Sequence, residues 1–574
     1  MKRIIKLKLA AASILFALLF VWACNDDFLE VAPRGQLAEE QLTGKAGIEG
    51  LLIGVYAQIS GRDGFYVGPS NWVGGSIRGG DANKGTEGGD QADINPIQRF
   101  EALPTTGGPI PDKWREDYEG VNRANTVLRV LATAGPDVTD ADKRRISAET
   151  RFLRGHYYFD LQKNYNNVAY IDETTPDPSK VVNSGPVWAQ IEADFKYAYD
   201  NLPETQSAVG RANKWAAGAY YAKTLLYQKK YAEAKTVFDA VIANGKTSGG
   251  KKYALVPRYS QLFNPENDNN EESIFALQAS AGTTTTANAN PEFVLNFPYN
   301  GGPAGCCGFF QPSFELVNSF RTNAQGLPLL DGSYNNASNA VKNDQGVLSN
   351  AAFTTDAGTL DPRLDHSVGR RGIPYLDWGN HPGRDWIRSQ PNGGPYAPKK
   401  FVFSKAQQNA YTDGSSWTRG YIALNYNIIR FADVLLMAAE AEAEVGTLAK
   451  ALEYVNLVRN RAANAADFVK TATGANAANY VISPYPAFAN KQAALDAIRF
   501  ERKLELSGEG HRFYDLVRWG VAEKVVNDYL RYEGAILTSA LGGAQFTPNQ
   551  DEYYPIPQRQ IDLQPGVLKQ NPGY

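Results

Sequence analysis

Ile498-Arg-Phe-Glu-Arg-Lys-Leu-Glu-Leu-Ser-Gly-Glu-Gly-His-Arg-Phe-Tyr-Asp-Leu-Val-Arg-Trp-Gly520 is the stretch whose reading decides the fold. It reads as two helical segments parted at Ser507-Gly508. Glu501 and Glu505 stand four apart and so share a face of the first segment. After the break, Glu509, Arg512, Asp515 and Arg518 follow at three-residue steps, alternating in sign along one side of a second helix. Leu495, Ile498, Leu504, Leu506, Phe513, Leu516, Val517 and Trp519 wrap these charges in apolar surface. Two readings fit. One is a solvated ladder of pairs, each worth roughly 0.3 kcal/mol. The other is a partly buried ion network of Glu501, Arg502, Glu505, Arg512 and Asp515 that sets how two helices cross. The interleaved aromatics favour the network, and neither reading makes an active site.

Helical periodicity extends outward from this stretch. Upstream, Phe431, Val434, Ala438, Ala441 and Val445 form one stripe ended by Gly446, and Leu448, Leu452, Val455 and Val458 form the next. In the N-terminal half, helices are expected from about Ala46, through Trp114 to Leu128, Ala148 to Tyr165, and at 188–202, 215–228 and 231–244. The last two form a helix, a short turn at Lys229-Lys230 and a second helix, with small residues at the crossing. That is the tetratricopeptide-like unit. Between 245 and 420 the pattern changes to short apolar runs such as Ser273-Ile-Phe-Ala-Leu277 among Gly, Pro and Asn, which read as strands in long loops. The expected class is mainly α, a scaffold of tetratricopeptide-like helix pairs with a loop-rich insert containing short strands. The expected boundaries are 1–23, 24–45, 46–244, 245–420 and 421–574.

The 574 residues carry a net charge of −3, so there is no basic field for nucleic acid. Three cysteines exclude a disulfide framework. Residues 1–23 read as a secretory leader, with basic residues ahead of an apolar run too short to span a membrane. Removing its four basic residues takes the charge to −7. The leader ends Val21-Trp22-Ala23-Cys24, which resembles a bacterial lipobox whose cysteine is lipidated. Asn25-Asp26-Asp27 is similar to the acidic tag that sends Bacteroidetes lipoproteins to the cell surface.

Several blocks in order resemble the SusD/RagB family of nutrient-binding lipoproteins. They are Cys24-Asn-Asp-Asp-Phe-Leu-Glu30, Glu149-Thr-Arg-Phe-Leu-Arg-Gly-His-Tyr-Tyr-Phe159, Leu360-Asp-Pro-Arg-Leu-Asp365, Arg430-Phe-Ala-Asp-Val-Leu-Leu-Met-Ala-Ala-Glu-Ala441, Val455-Asn-Leu-Val-Arg-Asn-Arg-Ala462, the opening stretch, and Tyr554-Pro-Ile-Pro557. The resemblance implies an outer-membrane, cell-surface protein anchored through lipidated Cys24. Such a protein captures an oligosaccharide, or in some members a peptide, for a SusC-like TonB-dependent transporter. Its helix pairs face the transporter and its loops hold the ligand.

Candidate ligand contacts follow from what a sugar platform needs, namely aromatic faces for pyranose C–H surfaces and amides or carboxylates for hydroxyls. Trp72, beside Asn71 and near Tyr66 and Asp81, is the first choice. Tyr299, Phe309, Phe310 and Trp386 are the choices from the insert. No catalytic residue is expected, because hydrolysis needs two carboxylates across a scissile bond and the prominent acids lie in the ion network. The four histidines, His156, His366, His381 and His511, lack metal spacing. No cofactor is expected. Asp81, Asp90 and Asp93 could hold Ca²⁺, but without EF-hand spacing. Vicinal Cys306-Cys307 is either a disulfide forming an apolar ledge or two free thiols.

Overall fold

The structure is a computed structural model that describes residues 39–62 and 64–574. The expected leader and the expected lipidation at Cys24 lie outside these residues. Among the described residues no helix is long and apolar enough to cross a membrane. The longer helices are α1 (Lys45–Ala57), α2 (Pro109–Ala132), α3 (Asp140–Tyr165), α4 (Trp188–Asn201), α5 (Lys214–Tyr227), α6 (Tyr231–Asn244), α7 (Phe431–Val445), α8 (Leu448–Ala462), α9 (Lys491–Glu505), α10 (Arg512–Arg518) and α11 (Ala522–Ile536).

Short polar caps start these helices where the sequence supplies them. Thr139 and Asp142 close a reciprocal capping box on α3, and Asn213 accepts from the Ala216 amide at the head of α5. Helices α2 through α6 each pack on the next, the antiparallel stacking expected of tetratricopeptide-like pairs. Close approach needs small residues at the crossings. A Cβ at Gly218 of α5 would lie 2.9 Å from Tyr199 of α4 and 3.0 Å from Val241 of α6. The stack then continues from α6 directly onto α7, and from α7 to α8 and α9, although more than 180 residues separate α6 from α7 in sequence. The insert is therefore a loop thrown out of a continuous helical stack.

Two antiparallel strand pairs secure that loop. β1 (Ala82–Gly85) pairs with β3 (Phe309–Pro312), and β2 (Ser273–Leu277) pairs with β4 (Tyr426–Arg430). The second pair closes the base of the insert, joining its first strand to the residues entering α7. Residues 421–430 are thus extended and not part of a helix.

The opening stretch docks on the N-terminal Gly-rich segment. The carboxylate of Asp81 accepts from the Gly508 amide at 3.0 Å, and Ser76 Oγ accepts from the Gly510 amide at 2.9 Å. Gly75 and Gly510 make this possible. A Cβ on Gly75 would sit 2.0 Å from the Gly510 carbonyl oxygen, and one on Gly510 would sit 1.8 Å from that of Ser70. Phe310 packs beside Gly508. Chain beginning, insert and chain end thus meet at the break between α9 and α10.

The charges of the opening stretch are buried and paired. Arg363 reaches Asp361 at 2.7 Å, Glu501 at 2.6 Å and Glu505 at 3.0 Å, and Arg459 meets Glu501 at 2.8 Å. Arg430 meets Glu272 at 2.9 Å, Glu505 at 2.6 Å and Glu509 at 2.8 Å. Arg461 joins Glu272 and Glu505, and Lys400 joins Glu509. Five carboxylates and five cations balance in this network, which is why it is tolerated in a low-dielectric interior. A second cluster runs from Lys223 and Arg502 through Asp433 and Asp515 to Arg518 and Glu440. Arg512 makes none of these pairs and its buried Nε has no hydrogen-bond partner, a correction to its expected membership. Glu509 lies in the turn before α10, not on its side, and faces Arg430.

These environments set the pH response. Burial pushes the Glu505 carboxyl up, but Arg461, Arg430 and Arg363 more than reverse this and hold it well below the carboxylate range; Glu509 and Asp515 are lowered by their cations in the same way. Such groups stabilise the fold above their unfolded pKa, and that stability is lost as pH falls through the folded value. Burial holds His156 and His381 at about 3, so they also lose stability as pH falls below the ordinary histidine value of 6.5. Glu292 and Glu533 are pushed up to about 7 by burial and act in the opposite sense, stabilising as pH falls toward their unfolded value. Melting temperature is therefore expected to change little between about pH 7 and 5 and to collapse below about pH 4, where network and histidines act together. A melting temperature that held to about pH 3 in thermal denaturation would contradict the paired network.

Candidate functional site

Strands β1 and β3 are built on an aromatic pillar. Trp72 is fully buried, with its ring 5.8 Å from Phe310 and 6.4 Å from Phe309, both edge-on and both buried. Its indole nitrogen donates to the Phe65 carbonyl at 2.7 Å. Asn71 is buried and donates to the Asp160 carboxylate at 3.2 Å. Asp81 is buried, accepts from Ser76 and Gly508, and is pushed up to about 6 by burial. Trp72, Asn71, Asp81, Phe309 and Phe310 therefore offer no face to a ligand. They underlie the loops around them, which corrects five of the eight expected contacts.

The other three are partly open. Tyr66 is half-buried on loop 61–71, its hydroxyl raised by burial and by the nearby carboxylates of Asp112 and Asp93. Tyr299 and Trp386 come together at the ends of the strands. The Tyr299 amide donates to the Trp386 carbonyl at 2.9 Å, and both side chains are half-buried. Trp386 is held edge-on by His381 at 5.2 Å and Tyr375 at 5.5 Å. Over the Tyr299 ring lies the guanidinium of Arg388, 5.4 Å from the centroid.

Arg388 also ties this surface to loop 86–90. It donates to Glu87 and Asp90, each at 2.5 Å, and to Thr86 Oγ1 at 2.9 Å. The loop is shaped from beneath by Lys84, whose ammonium donates to the carbonyls of Glu87 at 3.0 Å, Gly88 at 3.2 Å and Asp90 at 2.7 Å. Burial lowers that ammonium to about 8. Asn392 closes the rim by donating to the Gly85 carbonyl at 2.8 Å. The result is two aromatic rings beside one guanidinium and two carboxylates, on loops that adjoin the ends of β1 and β3 and are tied to each other by Arg388 and Asn392. Such a surface stacks on the C–H side of a sugar ring and hydrogen-bonds its hydroxyls. Glu87 and Arg388 went unrecognised in the sequence and Asp90 was read there only as a possible Ca²⁺ ligand, since isolated charges in loops carry no spacing signal.

Two other features bear on the chemistry. Among the described residues no group of three or more His, Cys, Asp or Glu side chains could hold a metal ion, so Asp81, Asp90 and Asp93 do not assemble one. Cys306 and Cys307 are joined as a disulfide within loop 299–308. A cavity of about 310 Å³ opens on the helical side between α2 and residues 560–568, but Trp114 in its wall is buried edge-on against Tyr165.

A continuous helical stack presenting aromatic, polar-rimmed loops defines a helical-scaffold ligand-binding protein. Comparison with known proteins narrows the class. Residues 271–574, more than half of the chain, match the model of the SusD family, and residues 27–226 match the model described as starch-binding associating with outer membrane. The chain belongs to the SusD family. It is 25% identical to SusD-like protein P25 of Formosa agariphila over 97% of this chain and 98% of that one. It is also 25% identical to the starch-binding protein SusD of Bacteroides thetaiotaomicron, over 76% of this chain and 74% of that one. Among solved structures, a laminarin binding SusD-like protein superposes with a TM-score of 0.67 at 24% identity, covering 93% of this chain and 100% of the other, and shares the fold.

Proposed function

We propose that this chain captures an oligosaccharide at the outer face of the outer membrane, anchored through lipidated Cys24, and passes it unaltered to a SusC-like TonB-dependent transporter. The observation that carries the proposal is the Tyr299–Trp386 pair on rigid loops, rimmed by Arg388, Glu87 and Asp90. The starch-binding and laminarin-binding relatives support a glycan over a peptide. Binding without hydrolysis fits the rim, because Glu87 and Asp90 are both committed to Arg388 and neither is poised as a free general acid.

A glycan array on the purified chain tests this directly, with a positive spot expected and peptide binding on a blank array overturning the choice of ligand. Trp386→Ala is then expected to weaken binding of the positive glycan by about 2 kcal/mol in calorimetry, with melting temperature nearly unchanged. Undiminished affinity would remove Trp386 from the site.

A further inference from the structure

We infer that Trp417 and Phe65 form a second pyranose-stacking subsite, so that the surface takes an extended stretch of a glycan chain instead of one terminal sugar. This rests on the glycan-capture reading above and adds to it the length class of the ligand. Trp417 is 56% exposed and is the one aromatic among the exposed large hydrophobic side chains of the described residues. Solitary exposed aliphatics are ordinary, whereas an exposed indole on a fixed support is a feature of binding surfaces.

The support is fixed. Trp417 sits in the tip of a hairpin whose strands, Thr412–Asp413 and Tyr421–Ile422, pair antiparallel. Within the tip, Asp413 accepts from the Ser415 amide at 2.8 Å and from its hydroxyl at 2.5 Å. The half-buried ring of Phe65 meets the indole edge-on at 6.4 Å, and the Phe65 carbonyl is the acceptor of the buried Trp72 indole. Exposed Ser416 and Arg419 flank Trp417, with Arg419 lying along the Gly414 backbone, and they offer partners for sugar hydroxyls.

The hairpin is also continuous with the first site. Thr418 Oγ1 donates to the Ala304 carbonyl at 3.3 Å, and residue 304 belongs to the loop that begins at Tyr299 and covers Trp386 with Gly301 and Gly302. Trp72 anchors both ends of this platform, holding the Phe65 backbone on one side and packing on Phe309 and Phe310 of β3 on the other. Two aromatic stations joined by one loop on one frame suit a chain that lies across both.

The test is calorimetry with laminari- and malto-oligosaccharides of increasing length on wild type, Trp417→Ala, Trp417→Phe and Trp386→Ala. Trp417→Ala is expected to weaken the hexaose about ten-fold while changing the triose less than about two-fold, and Trp417→Phe to recover most of the loss. Trp386→Ala is expected to weaken both lengths. Equal effects of Trp417→Ala on both lengths, or none on either, overturn the second subsite while the capture reading stands. A wild-type chain that binds neither series overturns the second subsite as a glucan site, and a blank glycan array overturns the capture reading with it.

Discussion

Glu505→Gln is expected to destabilise the protein by about 3–5 kcal/mol, the effect of removing one partner from a buried ion pair. Glu505 is fully buried and faces three guanidinium groups, those of Arg363, Arg430 and Arg461. Neutralising it leaves five cations with four carboxylates in the interior, and no rearrangement of glutamine can accept from all three arginines with charge assistance. Glu453→Gln is the matched control. That carboxylate is exposed and paired with Lys450, so its loss is expected to shift stability by less than about 1 kcal/mol. Thermal and denaturant melts of the two variants side by side decide the matter. Equal small shifts would mean that the network is solvated, and the surface-ladder reading of the opening stretch would return.

Trp72→Ala is expected to lower stability by about 3–5 kcal/mol, the range for emptying a buried tryptophan site, and to lose glycan binding with it. Both effects have one cause. Trp72 fills the space between the Gly-rich segment and β3, and its indole proton holds loop 61–71 through the Phe65 carbonyl. The contrast with Trp386→Ala separates support from contact, since Trp386 is expected to change affinity alone. Trp72→Phe keeps an aromatic filler and is expected to retain binding per folded molecule. Abolished binding in a fully stable Trp72→Phe protein would place Trp72 in contact with ligand after all.

The helical scaffold was legible in the sequence because its periodicity is local. Helix α6 starts and ends where the apolar stripe of 231–244 does, and β2 coincides with the run Ser273-Ile-Phe-Ala-Leu277. The ligand surface was less so. Trp72 and Phe309-Phe310 looked like platform residues because they sit in Gly-rich, polar stretches, a context that ordinarily means solvent. Glycines there serve a different purpose at Gly75, letting one backbone touch another, and that buried contact carries the aromatics inward. Tyr299 and Trp386 share the same composition, yet stay half-open because they lie beyond the strand ends.

From its sequence alone the chain is specified as helix pairs with a loop-rich insert and a charged helical break near its C-terminus, and its motif blocks resemble the SusD/RagB family. Those features are periodic or contiguous, so local spacing carries them. Tertiary structure decided which charges pair. Arg363, Arg430, Arg459 and Arg461 come from three separate motif blocks and converge on Glu501 and Glu505, a fact that none of the blocks contains. It also decided which aromatics are free. Burial is a property of what the rest of the chain brings alongside a residue, and for Trp72 that is β3, far away in sequence.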